Sequence, residues 1–397
     1  MPSLSREFLL VAACCRWPLG EAAIAAIRRQ ASEAIDWTYL LRTVRRHRVA
    51  GLVHNALSSA KIDLPPRIGQ ALASQAQNIA RQNLVLIGET VRLQRAFDAA
   101  EIPVISLKGF TLAQLAYGSL ALKHGRDIDL LVLPERALDA VELLEREGYV
   151  LRDPAPSLNA AQRRAVVQYG REMELVRRTG NLRVELHWRL SYNPLLLQGI
   201  DASAPTQDVS LAGGGRLRTL ATEELFAYLC VHGATHRWFR LKWLADLNAL
   251  LSERSDADIV HLYRLAAKKG AALCAGQALL LRQRLLGAEL PSGIAAELLS
   301  SRRLAALVAI ALEALTGPEP RHDIIAMARG AAAQFLLGRG PAYYFRQCML
   351  VCYSVADAIL LPLPPALHFL YPILRLPLWL WRRAIRPAAV KLTNAQT

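Results

Sequence analysis

The sequence has few cysteines, and none of them pair at metal or redox spacing. The six stand at positions 14, 15, 230, 274, 348 and 352, with no C-x-x-C pair, and the nine histidines form no cluster at zinc-ligand spacing. This excludes zinc ribbons and thioredoxin-like motifs and suits a reducing, cytoplasmic compartment. Internal repeats of fixed period are also absent, and so is any unbroken apolar run of membrane-spanning length. The most apolar stretch, Ile359 to Trp381, is crossed by Pro362, Pro364, Pro365, Pro372, Pro377 and Arg375. Each works against a membrane-spanning helix. We expect a docked, proline-broken segment there, because an interfacial anchor calls for a cleaner amphipathic helix. Val11-Ala12-Ala13-Cys14 mimics a lipoprotein cleavage box, but the apolar run before it is short and Glu7 spoils a basic leader, so no cleaved leader is expected.

What is present is a chain of 397 residues, 53% hydrophobic, long enough for a compact unit with helical additions and large cores. Only Ala388 to Thr397 reads as a loose end. The formal charge is +15, mostly from arginine and scattered along the chain. Such a field favours polyanions such as nucleoside triphosphates, nucleic acid or anionic lipid headgroups, and says nothing about fold.

From Leu4 to about Ala100 apolar residues recur at helical spacing, as in Trp37, Leu40, Leu41, Val44 and again Leu84, Ile87, Val91, with a break at Pro65-Pro66. The β-branched run Ile102 to Leu107 ends at Lys108-Gly109, and a helix follows over Thr111 to Tyr117. Asp127 to Val132 reads as a strand, then Glu135 to Glu147 as an amphipathic helix. Glu172 to Val176 and Leu182 to Trp188 are strand candidates around the hairpin-like Thr179-Gly180-Asn181. After Gly213-Gly214-Gly215 the pattern is helical from Thr222 to about Leu337. The organisation expected is therefore α+β: a helical region over 1–100, a mixed α/β core over 101–212, a helical domain over 213–338 and an apolar, proline-rich segment over 339–397.

Asp127 and Asp129 alternate with Ile128 and Leu130, so a strand places both carboxylates on one face. Two such carboxylates repel unless a cation sits between them, and Mg²⁺ suits the arrangement because it keeps positions for water and phosphate. In Arg183-Val184-Glu185-Leu186-His187-Trp188, Glu185 and His187 share the opposite parity from the apolar residues. A third carboxylate is then available from a second strand, and three can hold two divalent ions that activate a hydroxyl and neutralise a leaving pyrophosphate. His187 reads equally well as a structural hydrogen-bonder beside such a site. Lys108, Gly109 and Thr111 lie between a strand and a helix, where backbone N–H groups grip phosphate.

The segments LKGFTLAQLAY, RDIDLLV and VELHWRL, in that order, resemble a bacterial family of nucleotidyltransferases that shares the polymerase-β nucleotidyltransferase fold. The resemblance extends to VHGATHRWFRLKWLADLNALL and, more loosely, to DWTYLLRTVRRHRVAGLV and LPLPPALHFLYPILR. It implies a polymerase-β-like core with a mixed sheet between helical regions. By position it implies Asp127, Asp129 and Glu185 as catalytic metal ligands for two Mg²⁺ or Mn²⁺ ions, with Lys108, Gly109 and Thr111 on the triphosphate. Lys242 and Asp246, four residues apart, look similar to a Lys and Asp that complete the site in related toxin-like enzymes. Phe110 departs from the family's second small residue, Lys123 stands where an arginine is usual, and Arg126 immediately precedes Asp127, either cation serving to neutralise phosphate or to pair with the aspartates. Arg240 and Lys242 are the phosphate candidates of the later helix, while His232, His236, Trp238 and Trp243 read first as helix–helix packing.

The function expected is transfer of a nucleoside monophosphate from a triphosphate co-substrate, ATP in the first instance, to an unidentified acceptor. A peptide, protein, sugar or small molecule is favoured over nucleic acid. The competing readings are a non-catalytic nucleotide-binding protein and a membrane-surface scaffold, the latter predicting salt-sensitive, metal-independent binding.

Overall fold

A computed structural model describes residues 4–211, 215–318 and 324–385. The expected 212/213 boundary and the loose end over 388–397 lie outside the described residues. The first hundred residues form α1 (Arg6–Cys14), α2 (Glu21–Ala31), α3 (Trp37–His47), α4 (Ala50–Ser59) and the long α5 (Pro66–Ala99). Local chemistry sets the ends of these helices. Asp36 caps α3 by accepting hydrogen bonds from the Thr38 and Tyr39 amides, 2.9 and 3.0 Å, and Pro66 starts α5 where a missing N–H costs nothing.

The middle of the chain runs β1 (Ile105–Ser106), α6 (Phe110–Tyr117), β2 (Ile128–Leu131), α7 (Ala137–Arg146), β3 (Tyr149–Asp153), α8 (Ala160–Tyr169), β4 (Glu172–Arg177), β5 (Arg183–His187), β6 (Thr206–Ser210) and β7 (Arg216–Leu220). Five strands form one mixed sheet in the order β1-β2-β5-β4-β3, and β6 pairs with β7 in a separate ribbon. Only the β2–β5 pair is parallel, with Asp129 opposite Glu185 and Leu131 opposite His187. The β4–β5 turn carries Gly180 and Asn181 at positive φ, as a tight hairpin requires.

Three strands differ from the sequence expectation. β3 follows directly on Gly148 and shows alternation only at Tyr149 and Leu151, because a bulge before Asp153 breaks its register. β6 and β7 lack an apolar stripe on the β6 side, where Val209 alone is buried.

After β7 come α9 (Thr222–Thr235), α10 (Leu241–Leu250), α11 (Asp256–Lys268), α12 (Ala272–Leu286), α13 (Ser292–Ser300), α14 (Arg302–Thr316), α15 (Ile324–Phe335), α16 (Pro341–Cys352), α17 (Val355–Leu360) and α18 (Tyr371–Ile385). One core joins α1–α4 to α9–α14 and includes Leu10, Val44, Leu57, Phe226, Leu244 and Leu307. A second lies on one sheet face, where Ile128, Leu130, Val184, Leu186 and Trp188 pack on α7 and on Leu86, Leu93 and Phe97 of α5. α5 therefore ties the two cores together, with Leu72 and Ile79 in the first. The other sheet face points Asp129, Glu185 and His187 towards α9 and α10, as strand alternation demands.

The C-terminal stretch is broken between α17 and α18, where Pro362, Pro364 and Pro365 stand, as its prolines suggest. α18 continues through Pro377, an exposed residue, so the carbonyl it leaves without a helical partner can be met by water. Among the described residues no helix is long and apolar enough to cross a membrane.

Candidate functional site

Asp129 and Glu185 are brought side by side because they sit at matched positions on neighbouring parallel strands. His187, two residues along β5, joins them, and ligand atoms of all three lie within 4.8 Å of one another. Its Nε2 is 3.4 Å from Asp129 Oδ1 and 3.6 Å from Glu185 Oε2, while Nδ1 is 2.9 Å from Glu172 Oε2 on β4. The Lys108 Nζ is 2.8 Å from Asp129 and 4.0 Å from Glu185. The cation that two crowded carboxylates demand is thus supplied by the chain itself. Asp127 stands one residue before β2 and lines the same cavity, outside that trio.

The electrostatics follow from burial and these contacts. Burial opposes charge on Asp129, yet Lys108 and His187 outweigh it and hold the carboxyl well below the usual range. Burial, reinforced by repulsion from Asp129, lifts Glu185 to about 7. His187 is buried too, but carboxylates on both ring nitrogens raise it to about 10. An imidazole engaged in this way is a cation, and it orients its neighbours more readily than it ligates a metal.

The donors fit a hard divalent cation. Asp127, Asp129 and Glu185 offer carboxylate oxygens, the donor type that Mg²⁺ and Mn²⁺ prefer, and Lys108 and His187 are the positive charges such an ion would displace or complement. The glycine turn backs this arrangement. Gly109 precedes α6 with φ 77°, a left-handed conformation that glycine adopts without strain, and no atom lies within 4 Å of where a Cβ would stand. Phe110 turns its ring inward, 3% exposed, against Gly125, so its size does not crowd the outer surface of the turn. Thr111 is also buried, and its hydroxyl reaches back to the Ser106 and Lys108 carbonyls at 3.5 and 3.4 Å. It closes the turn.

The far wall of the site, a cavity of about 210 Å³, comes from distant elements. Arg48, Lys108, Lys123, Asp127, Arg171, Glu172, Glu185, His187, Lys242 and Asp246 line it together with His232, His236 and Trp243. Asp246 is not a free ligand. It is buried, its Oδ1 accepts from the Tyr117 hydroxyl at 3.0 Å, and it forms a close ion pair with Lys123. Lys242 faces the cavity, and burial with repulsion from Lys123 lowers its ammonium to about 7. Arg240 is turned elsewhere, donating to the Arg46 carbonyl at 2.8 Å and lying over the Phe239 ring. Arg126 is exposed and is not part of the cavity lining.

His232, His236 and Trp243 pack on one another at tilted and edge-on angles, with ring centroids 4.7 to 5.4 Å apart, and form one side of the cavity. Burial holds His232 below its ordinary value and His236 down to about 4, so both are neutral. Trp238 is fully buried, and its indole donates to Gln277.

Arg48, Tyr117, Arg171 and Glu172 were not singled out from sequence. Arg48 reaches the site because α3 ends there at φ 56°, and its end is pinned to α10 where the Leu241 amide donates to His47 Nδ1 at 3.1 Å. Glu172 had a usable signal. It stands opposite His187 in the β4–β5 hairpin, a pairing that the Thr179–Asn181 turn implies.

A family model described as uncharacterised nucleotidyltransferase matches residues 33–287, from the start of α3 to the end of α12. The chain belongs to that family. All the residues that line the carboxylate cavity fall inside the matched range. No curated protein matches the chain.

Proposed function

We propose that this nucleotidyltransferase carries a polymerase-β-type core and moves a nucleoside monophosphate from a triphosphate, ATP in the first instance, to an acceptor hydroxyl in the presence of Mg²⁺ or Mn²⁺. The observation that carries the reading is the parallel register that sets Asp129 beside Glu185, with the Lys108–Gly109 turn 2.8 Å away at Lys108.

Asp127, Asp129 and Glu185 would hold two divalent ions, which supply charge neutralisation on the phosphates and lower the pKa of the attacking hydroxyl. Lys108 would pair with triphosphate oxygens, and the backbone N–H groups of Gly109 and Phe110 lie at the start of α6 where anions bind. The acceptor oxygen attacks the α-phosphorus, the bond from that phosphorus to the β-bridging oxygen breaks, and pyrophosphate leaves. Glu185 Oε2 takes the acceptor's proton as the hydroxyl attacks. Arg48 faces the cavity as a cation for the departing phosphates, and Lys242, held near 7, becomes one as their negative charge raises its ammonium again. His187 acts through the carboxylates as a positioning residue.

The acceptor side is the neighbouring cavity of about 870 Å³, which shares Arg171 and His236 with the carboxylate cavity. Tyr169, Tyr192 and Tyr353 line it with Leu190, Ile359 and Leu360, a mixture suited to a small molecule or peptide side chain.

The test is mass spectrometry of products after incubating the protein and a native extract with each nucleoside triphosphate and Mg²⁺ or Mn²⁺. The expected result is one acceptor gaining the mass of a nucleoside monophosphate, with pyrophosphate released and both lost on chelation. Transfer that survives chelation, or triphosphates that stay intact with every extract fraction, would overturn the reading.

A further inference from the structure

Among the described residues no element covers the outer face of α18, and its composition reverses that of an ordinary surface helix. Phe369, Ile373, Leu376 and Leu380 follow one another at spacings of four, three and four residues and are 62, 69, 63 and 54% exposed, with Trp381 beside them at 49%. The inner stripe is Tyr371, Arg375, Leu378 and Arg382, again one helical face. Tyr371 and Leu378 are buried, and Arg375 and Arg382 are both paired with the buried carboxylate of Asp357 on α17. Arg375 and Arg382 therefore anchor the helix while its large apolar residues face outward. Neighbouring α16 adds Phe345 at 64% and Val351 at 53% exposure, and the Val351 carbonyl accepts from Arg375, which places the two helices side by side.

Charge indicates what would cover this face. Beyond Asp357 the sequence contains no Asp or Glu, and it contains Arg375, Arg382, Arg383, Arg386 and Lys391. Arg339 and Arg346 at the start of α16 are exposed as well. An apolar stripe that includes Trp and Phe, in a segment whose sequence beyond Asp357 is basic, and beside a helix with exposed Arg346, matches an anionic lipid surface. There the rings and aliphatic chains enter the headgroup boundary and the guanidinium groups meet phosphates. At 15 residues α18 lies along such a surface and cannot cross it.

We infer that α18, with the exposed edge of α16, docks this protein on the surface of an anionic lipid bilayer. Docking would also set the acceptor cavity at headgroup level, because Arg375 and Arg382 line that cavity from the inner side of the same helix. The inference does not depend on the nucleotidyl-transfer reading, because none of the docking residues belongs to the carboxylate site.

Vesicle flotation of the full chain tests it, using phosphatidylcholine vesicles with and without phosphatidylglycerol, at low ionic strength and again in about 1 M salt, where the Debye length falls to ~3 Å. The wild type is expected to float with anionic vesicles, about tenfold less with neutral ones, and to be released by salt. The double variant Ile373→Asp with Leu376→Asp is expected to stay in solution, whereas Leu84→Asp, an exposed apolar position on α5, is expected to float like wild type. Thermal melting checks that both variants fold; should the double variant unfold, the wild type's dependence on lipid charge and salt decides. Failure to float with any vesicle overturns the inference, as does equal flotation with neutral lipid. A concentration-dependent dimer abolished by the same two substitutions, in protein that ignores vesicles, would assign the stripe to a second copy of the chain instead.

Discussion

Glu185 is the residue whose neighbours say most about its work. Burial and repulsion from Asp129 lift its carboxyl to about 7 while Lys108 and His187 hold Asp129 low, an asymmetry that fits the proposed division between a proton acceptor and a charge holder. Glu185→Gln keeps the shape and is expected to lower nucleotide transfer by roughly 10²–10⁴-fold while triphosphate affinity changes little, as removal of a general base does. Single-turnover transfer of α-labelled nucleotide, with calorimetry of triphosphate binding, measures the two separately. Equal loss of both would make Glu185 structural. Gly233 gives a second test, of packing behind the histidine pair. A Cβ there would stand 2.4 Å from the Trp238 ring, so Gly233→Ala is expected to cost about 1–3 kcal/mol in a denaturant melt. At this scale the sequence was readable wherever alternation fixes a side chain's face, as with Asp129 and Glu185. It was not readable for Thr111 and Arg240, which were expected on phosphate. Thr111 instead closes its own turn, and Arg240 is held by the Arg46 carbonyl, a contact between residues 194 positions apart.

Among the elements, α10 fastens the site's far wall. Asp246 takes Lys123 and Tyr117 at once, so the helix holds both the end of α6 and the loop leading into β2. Asn83 on α5 grips that loop from the other side, donating to the Lys123 carbonyl at 2.7 Å and accepting from the Gly125 amide. Removing one partner of a buried ion pair strands the other, so Asp246→Ala is expected to destabilise the fold by about 3–5 kcal/mol. Thermal or urea denaturation reads this. A change under about 1 kcal/mol would show that Lys123 readily finds another partner or water. β2 and β5 were legible because their apolar and acidic residues alternate cleanly. β6 was not, since its residues lean on β7 and on tertiary contacts rather than on any stripe of their own. The proline-broken segment expected over Ile359 to Trp381 is broken where Pro362, Pro364 and Pro365 separate α17 from α18, whereas Pro372 sits in the first turn of α18 and Pro377 lies inside it, facing water.

Across the whole molecule, buried neutral histidines tie stability to pH. Burial, with Arg46 and Arg240 nearby, lowers His47 to about 3, and burial lowers His124 and His236 to about 4. Each therefore favours the fold in its neutral form, with its full contribution present above the unfolded value of about 6.5 and lost as pH falls towards 3–4. Melting temperature is expected to fall steadily below pH 6.5, each histidine removing roughly 1.4 kcal/mol per pH unit over that window. A melting temperature flat from pH 7 to pH 5 would contradict their burial as neutral groups. The claim on which the rest depends is that the carboxylate pair serves a divalent ion that carries a triphosphate. Calorimetry of ATP against the wild type and Asp129→Asn, each with Mn²⁺ and with chelator and each shown to be folded at the working temperature, tests this most directly. The account predicts tight binding only for the wild type with Mn²⁺, weakened at least about tenfold by chelation or by Asp129→Asn. ATP binding that is equally strong in chelator and in the variant would contradict it.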